Sequence, residues 1–316
     1  MKDITFSIVT PSYNQGQFID YTIQSILRQE GDFYIDYIVM DGNSTDETMK
    51  IVEDYARQIK EKSYPIKCKG ITMRYQSKKD KGQADAINKG FALAKGDIYA
   101  WLNSDDVYVN PYTLKKVAGL FEDKNVNFVY GRGVDIQRDG QIIRETPFVT
   151  EGRMDLLKEM DYVLQPSSFW RSSVWKKTGL LNIKMHYAFD WDYWVRIAKN
   201  FQFTFYDDIL SANRLYPENK TLGTGFEREK EIIHFLIRID ALTERSVQHY
   251  IVGQGRTVAE AFQQTLRYKL AEILFQPIAN LKHFLLRPYA RKIFKKTVKS
   301  EGGWFEFLHY YWEKKK

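Results

Sequence analysis

The chain has 316 residues, 44% hydrophobic and 28% charged, enough for one large α/β domain or a core domain with a helical extension. Its one cysteine, Cys68, excludes an internal disulfide, and with only five histidines, none paired at zinc-ligand spacing, it excludes a Cys/His metal centre. The net charge of +7 is local: residues 282–316 carry ten Lys and Arg against three Asp and Glu while the rest balances, so a chain coated in nucleic acid is not expected.

In chain order, residues 5–10 read as a strand and Pro11-Ser12-Tyr13-Asn14-Gln15-Gly16 as a break. Phe18, Ile19, Thr22, Ile23, Ile26 and Leu27 then follow a helical period. A second strand covers 34–40. Asp41-Gly42-Asn43 turns the chain, and Ser44 with Glu47 predicts a capping box for the next helix. A strand at 71–75, a helix over 84–95 stopped by Gly96, a strand over 97–102, a helix over 112–122 and a strand at 126–130 continue the alternation. Such a series implies a parallel sheet covered by helices on both faces. The Asp139-Gly140 pair predicts a hairpin between 134–137 and 141–145. A short helix near 154–158 follows. A helix beginning near 189 turns Trp191, Trp194, Val195 and Ala198 inward and carries Asp190 and Asp192 at its N-terminal end, where the helix dipole favours carboxylates. Residues 227–249, 257–275 and 278–299 are helical by pattern.

Ligands of parallel sheets bind outside the carboxyl ends of the strands. Here every such end is polar: Thr10 to Asn14, Asp41 to Ser44, 77–80, and Asn103-Ser104-Asp105-Asp106. The Gly-rich loop of dinucleotide enzymes is missing after the first strand, as is a Gly-Lys-Ser/Thr phosphate loop. Two adjacent carboxylates at the end of a buried strand repel and lose solvation, which a divalent cation with oxygen ligands, Mg2+ or Mn2+, relieves. The plainer alternative is a loop whose Asp residues cap the next helix.

Six ordered segments together resemble the inverting, metal-dependent glycosyltransferases of family 2, with the GT-A fold. They are Ser7-Ile8-Val9-Thr10-Pro11-Ser12-Tyr13-Asn14, the run from Asp41 to Thr48, the run from Asp80 to Gly90, Trp101-Leu102-Asn103-Ser104-Asp105-Asp106, Gln165-Pro166-Ser167, and the run from Tyr187 to Arg196. The resemblance implies a glycosyltransferase domain over 1–225, with a nucleotide-sugar half to about 130 and an acceptor half from 131, and a helical, basic and aromatic extension over 226–316. It implies that Tyr13 stacks on the base of a nucleoside-diphosphate-sugar donor, with Thr10, Pro11 and Asn14 shaping the pocket. Asp41 and Gly42 face base and ribose; many members carry a second Asp where this chain has Gly42, so a uridine donor does not follow. Asp80 and Asp85 lie near the nucleotide or donor sugar, and Asn103, Ser104 and Asp105 beside it. Asp106 is the direct metal ligand, with Asp105 helping. Asp190 matches the catalytic base, with Phe189 where the family usually has Glu. Gln165, His186 and Trp191 are candidates for contact with donor or acceptor sugar; a buried amide, a capped helix start and a core tryptophan are their plainer readings. Asp192 is expected to be structural.

The rivals are a nucleotidyltransferase, which wants a Gly-rich basic loop that Thr10 to Gly16 lacks, and a non-catalytic sugar-nucleotide or carbohydrate-binding protein of the same fold. The lysines and aromatics of 282–316 suit an anionic membrane surface and a lipid-linked acceptor, or else an amphipathic helix docked on the domain. With no signal peptide or membrane span expected, the expected location is the cytoplasm, at the inner face of the membrane if that surface is used.

Overall fold

The computed structural model describes residues 3–152, 154–220 and 225–241. The chain divides into two compact units, residues 1–157 with 161–223, and residues 158–160 with 224–316. Of the second unit the described helix is α8 (Gly225–Arg238). The helices expected over 257–275 and 278–299 and the basic segment 282–316 lie outside the described residues. No helix among the described residues is long and apolar enough to cross a membrane.

The first unit is built on one nine-stranded sheet. Its parallel half follows the expected alternation: β1 (Ile4–Ser12), α1 (Ile19–Leu27), β2 (Glu30–Asp41), α2 (Thr48–Lys60), β3 (Lys67–Ser77), α3 (Gln83–Leu93) and β4 (Ile98–Trp101), with spatial order β3-β2-β1-β4. The strands run longer than their apolar cores predict, because ladder pairing extends to polar ends such as Ser12↔Asp41 and Asp41↔Ser77.

The second half is mixed. It comprises β5 (Val107–Tyr108), α4 (Thr113–Leu120), β6 (Phe128–Ile136), β7 (Ile142–Glu145), α5 (Met154–Glu159), β8 (Ser168–Arg171), α6 (Ser172–Thr178), α7 (Phe189–Ala198) and β9 (Phe203–Arg214). Beyond β4 the order is β8-β6-β9-β5, with β8 antiparallel to both β4 and β6. The two strands expected at 126–130 and 134–137 are one, continuous through Gly131. The Asp139-Gly140 hairpin forms, joining β6 to β7, with Gly140 at φ 92°.

Period-two alternation divides the core into two faces. Phe6, Ile8, Ile98, Ala100 and Leu102 pack with Ile23, Leu27, Leu114 and Val117 on one side. On the other, Trp101 stacks on Trp194 with centroids 5.3 Å apart and meets Trp170 edge-on at 5.4 Å. This buried aromatic wall binds α7 to the end of β4. Gly90 lets α3 close on β1, since a Cβ there would lie 2.5 Å from Val9 Cγ1.

Two local expectations fail. The Ser44/Glu47 capping box does not form. Ser44 instead donates its N–H and hydroxyl to Asp41, and Asp46 accepts the Thr48 N–H at the start of α2. Gly96 does not stop α3, which ends at Leu93; it lies buried against β1, where a Cβ would sit 2.6 Å from Thr5 O.

Candidate active site

The polar ends of β1 to β4 meet on one rim. The loop after β1 is stitched to the loop after β2: Asn14 N–H donates to Ser44 Oγ (2.7 Å), Thr45 N–H to Asn14 Oδ1 (2.9 Å), and Gly16 N–H to Asp46 Oδ2 (2.8 Å). Asn14 is thus spent on joining loops, in a left-handed conformation (φ 51°) that asparagine tolerates. Thr10 and Pro11 are buried beneath the rim, and Thr10 Oγ1 accepts the Tyr37 hydroxyl. Tyr13 lies open, 62% exposed, beside Gly42, where a Cβ would be 3.3 Å from the Tyr13 ring and 3.2 Å from Asp80 Oδ2. Tyr13, Gly42 and Asp80 therefore form one cluster. Ser12 Oγ and Gln15 Oε1, on the same loop, are buried without a hydrogen-bond partner. Such orphans are costly unless a ligand satisfies them.

Two predicted donor-site acids are otherwise engaged. Asp41 is buried and accepts from Asn43 N–H, Ser44 N–H, the Ser44 hydroxyl and the Ser77 hydroxyl, so its carboxylate organises its own turn. Asp85 accepts the Lys81 N–H and pairs with Lys89 at 2.8 Å. Partial burial pushes its carboxyl up, but Lys89 and the Lys81 amide outweigh that and hold it below the usual range.

The turn after β4 is the electrostatic centre. Asp106 is fully buried: Oδ1 accepts the Arg214 N–H (3.0 Å) and Oδ2 the Asn103 amide (3.0 Å). Asp105 is half-buried, and its Oδ2 accepts the Tyr216 hydroxyl at 2.8 Å. Burial, and then the neighbouring Asp105 charge, push the Asp106 carboxyl well above the ordinary range. Burial also raises Asp105, tempered by Tyr216 and by the charges of Arg214 and Lys220. Ser104, next to them in the turn, is buried. An all-oxygen donor set of two repelling carboxylates fits a hard divalent cation. Each carboxylate oxygen keeps acceptor capacity beyond the bonds described. Asp105 is the less buried residue of the two, so the expected order, Asp106 the direct ligand with Asp105 helping, is reversed: Asp105 is the one a cation can reach. Among the described residues no three His, Cys, Asp or Glu gather into a complete cage, so such a cation would finish its shell with phosphate and water.

From this turn a chain of amides crosses the site. Gln165 Nε2 donates to Trp101 O (2.7 Å), and Asn103 Nδ2 to Gln165 Oε1 (3.1 Å); Gln83 Nε2 donates to Asn103 Oδ1 (2.7 Å). Gln165 is thus a buried tie between strand and loop. Lys220 Nζ continues the chain to Gln83 Oε1 (2.9 Å) and His186 O (3.3 Å), reaching the turn that precedes α7. Asp190 is half-buried in the first turn of α7, its Oδ1 accepting the Trp191 N–H at 2.8 Å. The ring of the adjacent Phe189 lies 6.4 Å from that of Trp101. His186 is exposed, its ring edge-on to Tyr187. Trp191 is not a sugar platform: it is 2% exposed and donates its indole N–H to Leu157 O. Asp192 is structural, buried and paired with Arg196 at 2.9 Å.

Arg214, Tyr216, Gln15 and Lys220 carry no signal in the sequence that marks them for this site. Arg214 is almost fully buried, bonding Asp105 O, Gln137 O and Arg138 O, with its guanidinium 5.0 Å from the centre of the Phe18 ring.

A parallel β-α half with polar strand ends, joined to an aromatic-walled mixed half, is the GT-A architecture of the chain's structural neighbours. The Glycosyl transferase family 2 profile matches residues 7–189, more than half of the chain, and the protein belongs to that family. The match ends one residue before Asp190. A PGL/p-HBAD biosynthesis glycosyltransferase of Mycobacterium bovis is 30% identical over 199 residues, covering 62% of this chain and 70% of the relative. Among solved structures, S. aureus TarS 1-349 in complex with UDP-GlcNAc aligns with a TM-score of 0.63 at 16% identity, over 88% of this chain and 80% of that one. The Pyrobaculum calidifontis mannosyltransferase PcManGT, in complex with GDP-Man and Mn2+, aligns with a TM-score of 0.57 at 14% identity, over 98% and 79%.

Proposed function

We propose that this glycosyltransferase moves a sugar from a nucleoside-diphosphate donor to an acceptor hydroxyl with inversion, using Asp190 as base. The observation that carries the reading is the closeness of two turns far apart in sequence. The Asp105-Asp106 turn and the first turn of α7 are joined through the Trp101–Phe189 contact and the Asn103–Gln83–Lys220 chain. A donor seated between them has its nucleotide over Tyr13 and Gly42, its diphosphate at Asp105, and its anomeric carbon toward Asp190.

Asp190 then takes the proton of the acceptor hydroxyl. The acceptor oxygen forms the new bond on the face of the anomeric carbon opposite the diphosphate. The old carbon–oxygen bond breaks, and its electron pair stays on the departing phosphate oxygen. A helix N-terminus favours the ionised form of Asp190 that this role needs. Asp105, with Asp106 behind it, would hold Mn2+ or Mg2+, which offsets negative charge on the leaving group when bound. The sugar nucleotides bound by TarS and PcManGT, and the Mn2+ in the latter, support a nucleotide-sugar donor and a metal-assisted site. A glycolipid or cell-surface polysaccharide acceptor, met by a cytoplasmic protein at an anionic membrane surface, completes the proposal; the mycobacterial relative is a PGL/p-HBAD biosynthesis glycosyltransferase.

The experiment is Asp190→Asn, with release of nucleoside diphosphate as the readout. A kcat lower by about 10^3-fold is expected for loss of a general base, with donor affinity retained. Turnover at the wild-type rate would remove Asp190 from the chemistry.

A further inference from the structure

The donor reading places a base over Tyr13 and Gly42 without choosing among bases. Tyr13 cannot make the choice: its ring is 62% exposed, and every base has a π-face to lay on it. Nor does charge make it. The loop after β3 exposes Lys78, Lys79 and Lys81, and these attract every nucleoside diphosphate alike. Choice of base requires a hydrogen-bonding group held at the edge of the stacking surface, which is left unpaired by the wrong base.

Asp80 is such a group. It stands between β3 and α3, half-buried, and its Oδ1 accepts the Gly82 N–H at 2.8 Å, which holds the carboxylate in place. No described residue donates to Oδ2. That oxygen borders the space at Gly42, where a Cβ would lie 3.2 Å from it and 3.3 Å from the Tyr13 ring. Gly42 is itself fixed, donating its N–H to Ser12 O at 2.8 Å. A side chain at position 42 would crowd both the ring and the carboxylate; with glycine, the edge of a stacked base can reach Oδ2.

The bases differ in what they offer a carboxylate, which only accepts. Guanine presents two donors side by side, N1–H and the N2 amino group, matching two carboxylate oxygens. Uracil presents one N–H between two carbonyl oxygens, and a carboxylate repels both. Adenine and cytosine each set an amino group next to a ring nitrogen that is itself an acceptor. At Asp80, Oδ2 is open to one guanine donor, and Oδ1 keeps a lone pair beyond the Gly82 bond for the other.

We propose that Asp80 reads the base of the donor and that this chain takes a guanine nucleotide, with Gly42 the residue that lets the base edge reach the carboxylate. This rests on the donor reading above and adds to it the identity of the nucleotide.

The test is calorimetric binding of GDP, inosine diphosphate, UDP, CDP and ADP to the full-length wild type in Mn2+, and of GDP and xanthosine diphosphate to Asp80→Asn. A bidentate, charge-assisted contact predicts that GDP binds roughly ten- to a hundredfold more tightly than UDP, CDP or ADP. Inosine diphosphate, which is GDP without the N2 amino group, is expected to bind about tenfold more weakly than GDP. In Asp80→Asn the oxygen stays on the Gly82 N–H and an amide donor replaces Oδ2. Xanthine carries a carbonyl where guanine has the amino group, so xanthosine diphosphate should overtake GDP in this variant. UDP, CDP or ADP binding as tightly as GDP overturns the guanine assignment and leaves the donor reading intact. Inosine diphosphate equal to GDP, or GDP still ahead of xanthosine diphosphate in Asp80→Asn, overturns Asp80 as the reader. Where Asp80→Asn binds neither, the ratio of GDP to inosine diphosphate on the wild type decides. A wild type that binds none of the diphosphates overturns the donor reading, and the base assignment with it.

Discussion

Two turns at neighbouring strand ends use aspartate in opposite ways. After β2, the Asp41 carboxylate is fully supplied by its own turn and by Ser77 of the adjoining strand. After β4, Asp105 and Asp106 are pressed side by side, share Tyr216, Asn103 and the Arg214 backbone as donors, and both have their carboxyls pushed up by burial. In sequence the two look alike, an acid closing a buried strand. What separates them is whether the protein alone meets the carboxylate's needs. A satisfied acid is scaffold; a pair left short of positive charge is where we propose that metal and diphosphate bind.

The sharpest way to break this comparison is to neutralise one acid of each turn. Asp105→Asn is expected to lower kcat/KM by about a hundredfold or more, as for removal of a group that stabilises developing charge. Mn2+ is expected to raise the melting temperature of the wild type and not that of Asp105→Asn. Its metal-free melting temperature does not fall, because one of two repelling charges has gone and the Asn oxygen still accepts from Tyr216. A clear fall in melting temperature with activity intact would place Asp105 in the scaffold instead. Asp41→Asn is expected to do the reverse. An amide nitrogen would face hydroxyl and N–H donors, costing about 1–3 kcal/mol and lowering the melting temperature by roughly 5 °C. The kcat should change little. Full stability with donor binding lost would return Asp41 to the direct nucleotide contacts that the family resemblance implies.

What can be read in the residues alone follows the same division. The parallel half is legible because its signals are local: period-two runs, helical spacing and polar breaks locate β1 to β4, and with them the rim. The second half is held by pairing at long range, which no window of sequence displays. β5 is two residues long and exists only against Ala212 and Ser211 of β9. β8 enters the sheet between β4 and β6 because Trp170 packs between Trp101 and Phe128. Site residues divide the same way. Tyr13, Gly42, Asp105, Asp106 and Asp190 stand in recognisable motifs. Arg214 and Tyr216 come to the acidic turn from about 110 positions further along the chain, and they and Lys220 lie beyond the last of the six recognisable segments. The failed capping box has the same cause, since Ser44 is claimed by Asp41 and by the loop after β1.

The smallest expected effect concerns a third acid, Asp46, which belongs to the scaffold class but stands at the surface. It accepts the Gly16 N–H, the Thr48 N–H and the Thr48 hydroxyl, pinning the loop after β1 to the start of α2. The slight burial of its carboxyl pushes it up, but the hydrogen bonds from Thr48 and Gly16 outweigh that and hold it below its ordinary value. A carboxyl with a lowered folded-state pKa stabilises the protein above its unfolded value of about 3.9, and that contribution fades as pH falls through the folded value. Exposure to solvent keeps it to a fraction of a kcal/mol. Thermal melts of Asp46→Asn and wild type should therefore differ by a constant small amount from pH 5 to 8, roughly 1–2 °C for a chain of this size. The gap should narrow only below about pH 4. A gap that opens or closes between pH 5 and 8 would show that some other group carries the difference, and Asp46 would leave the class of acids satisfied by their own turns.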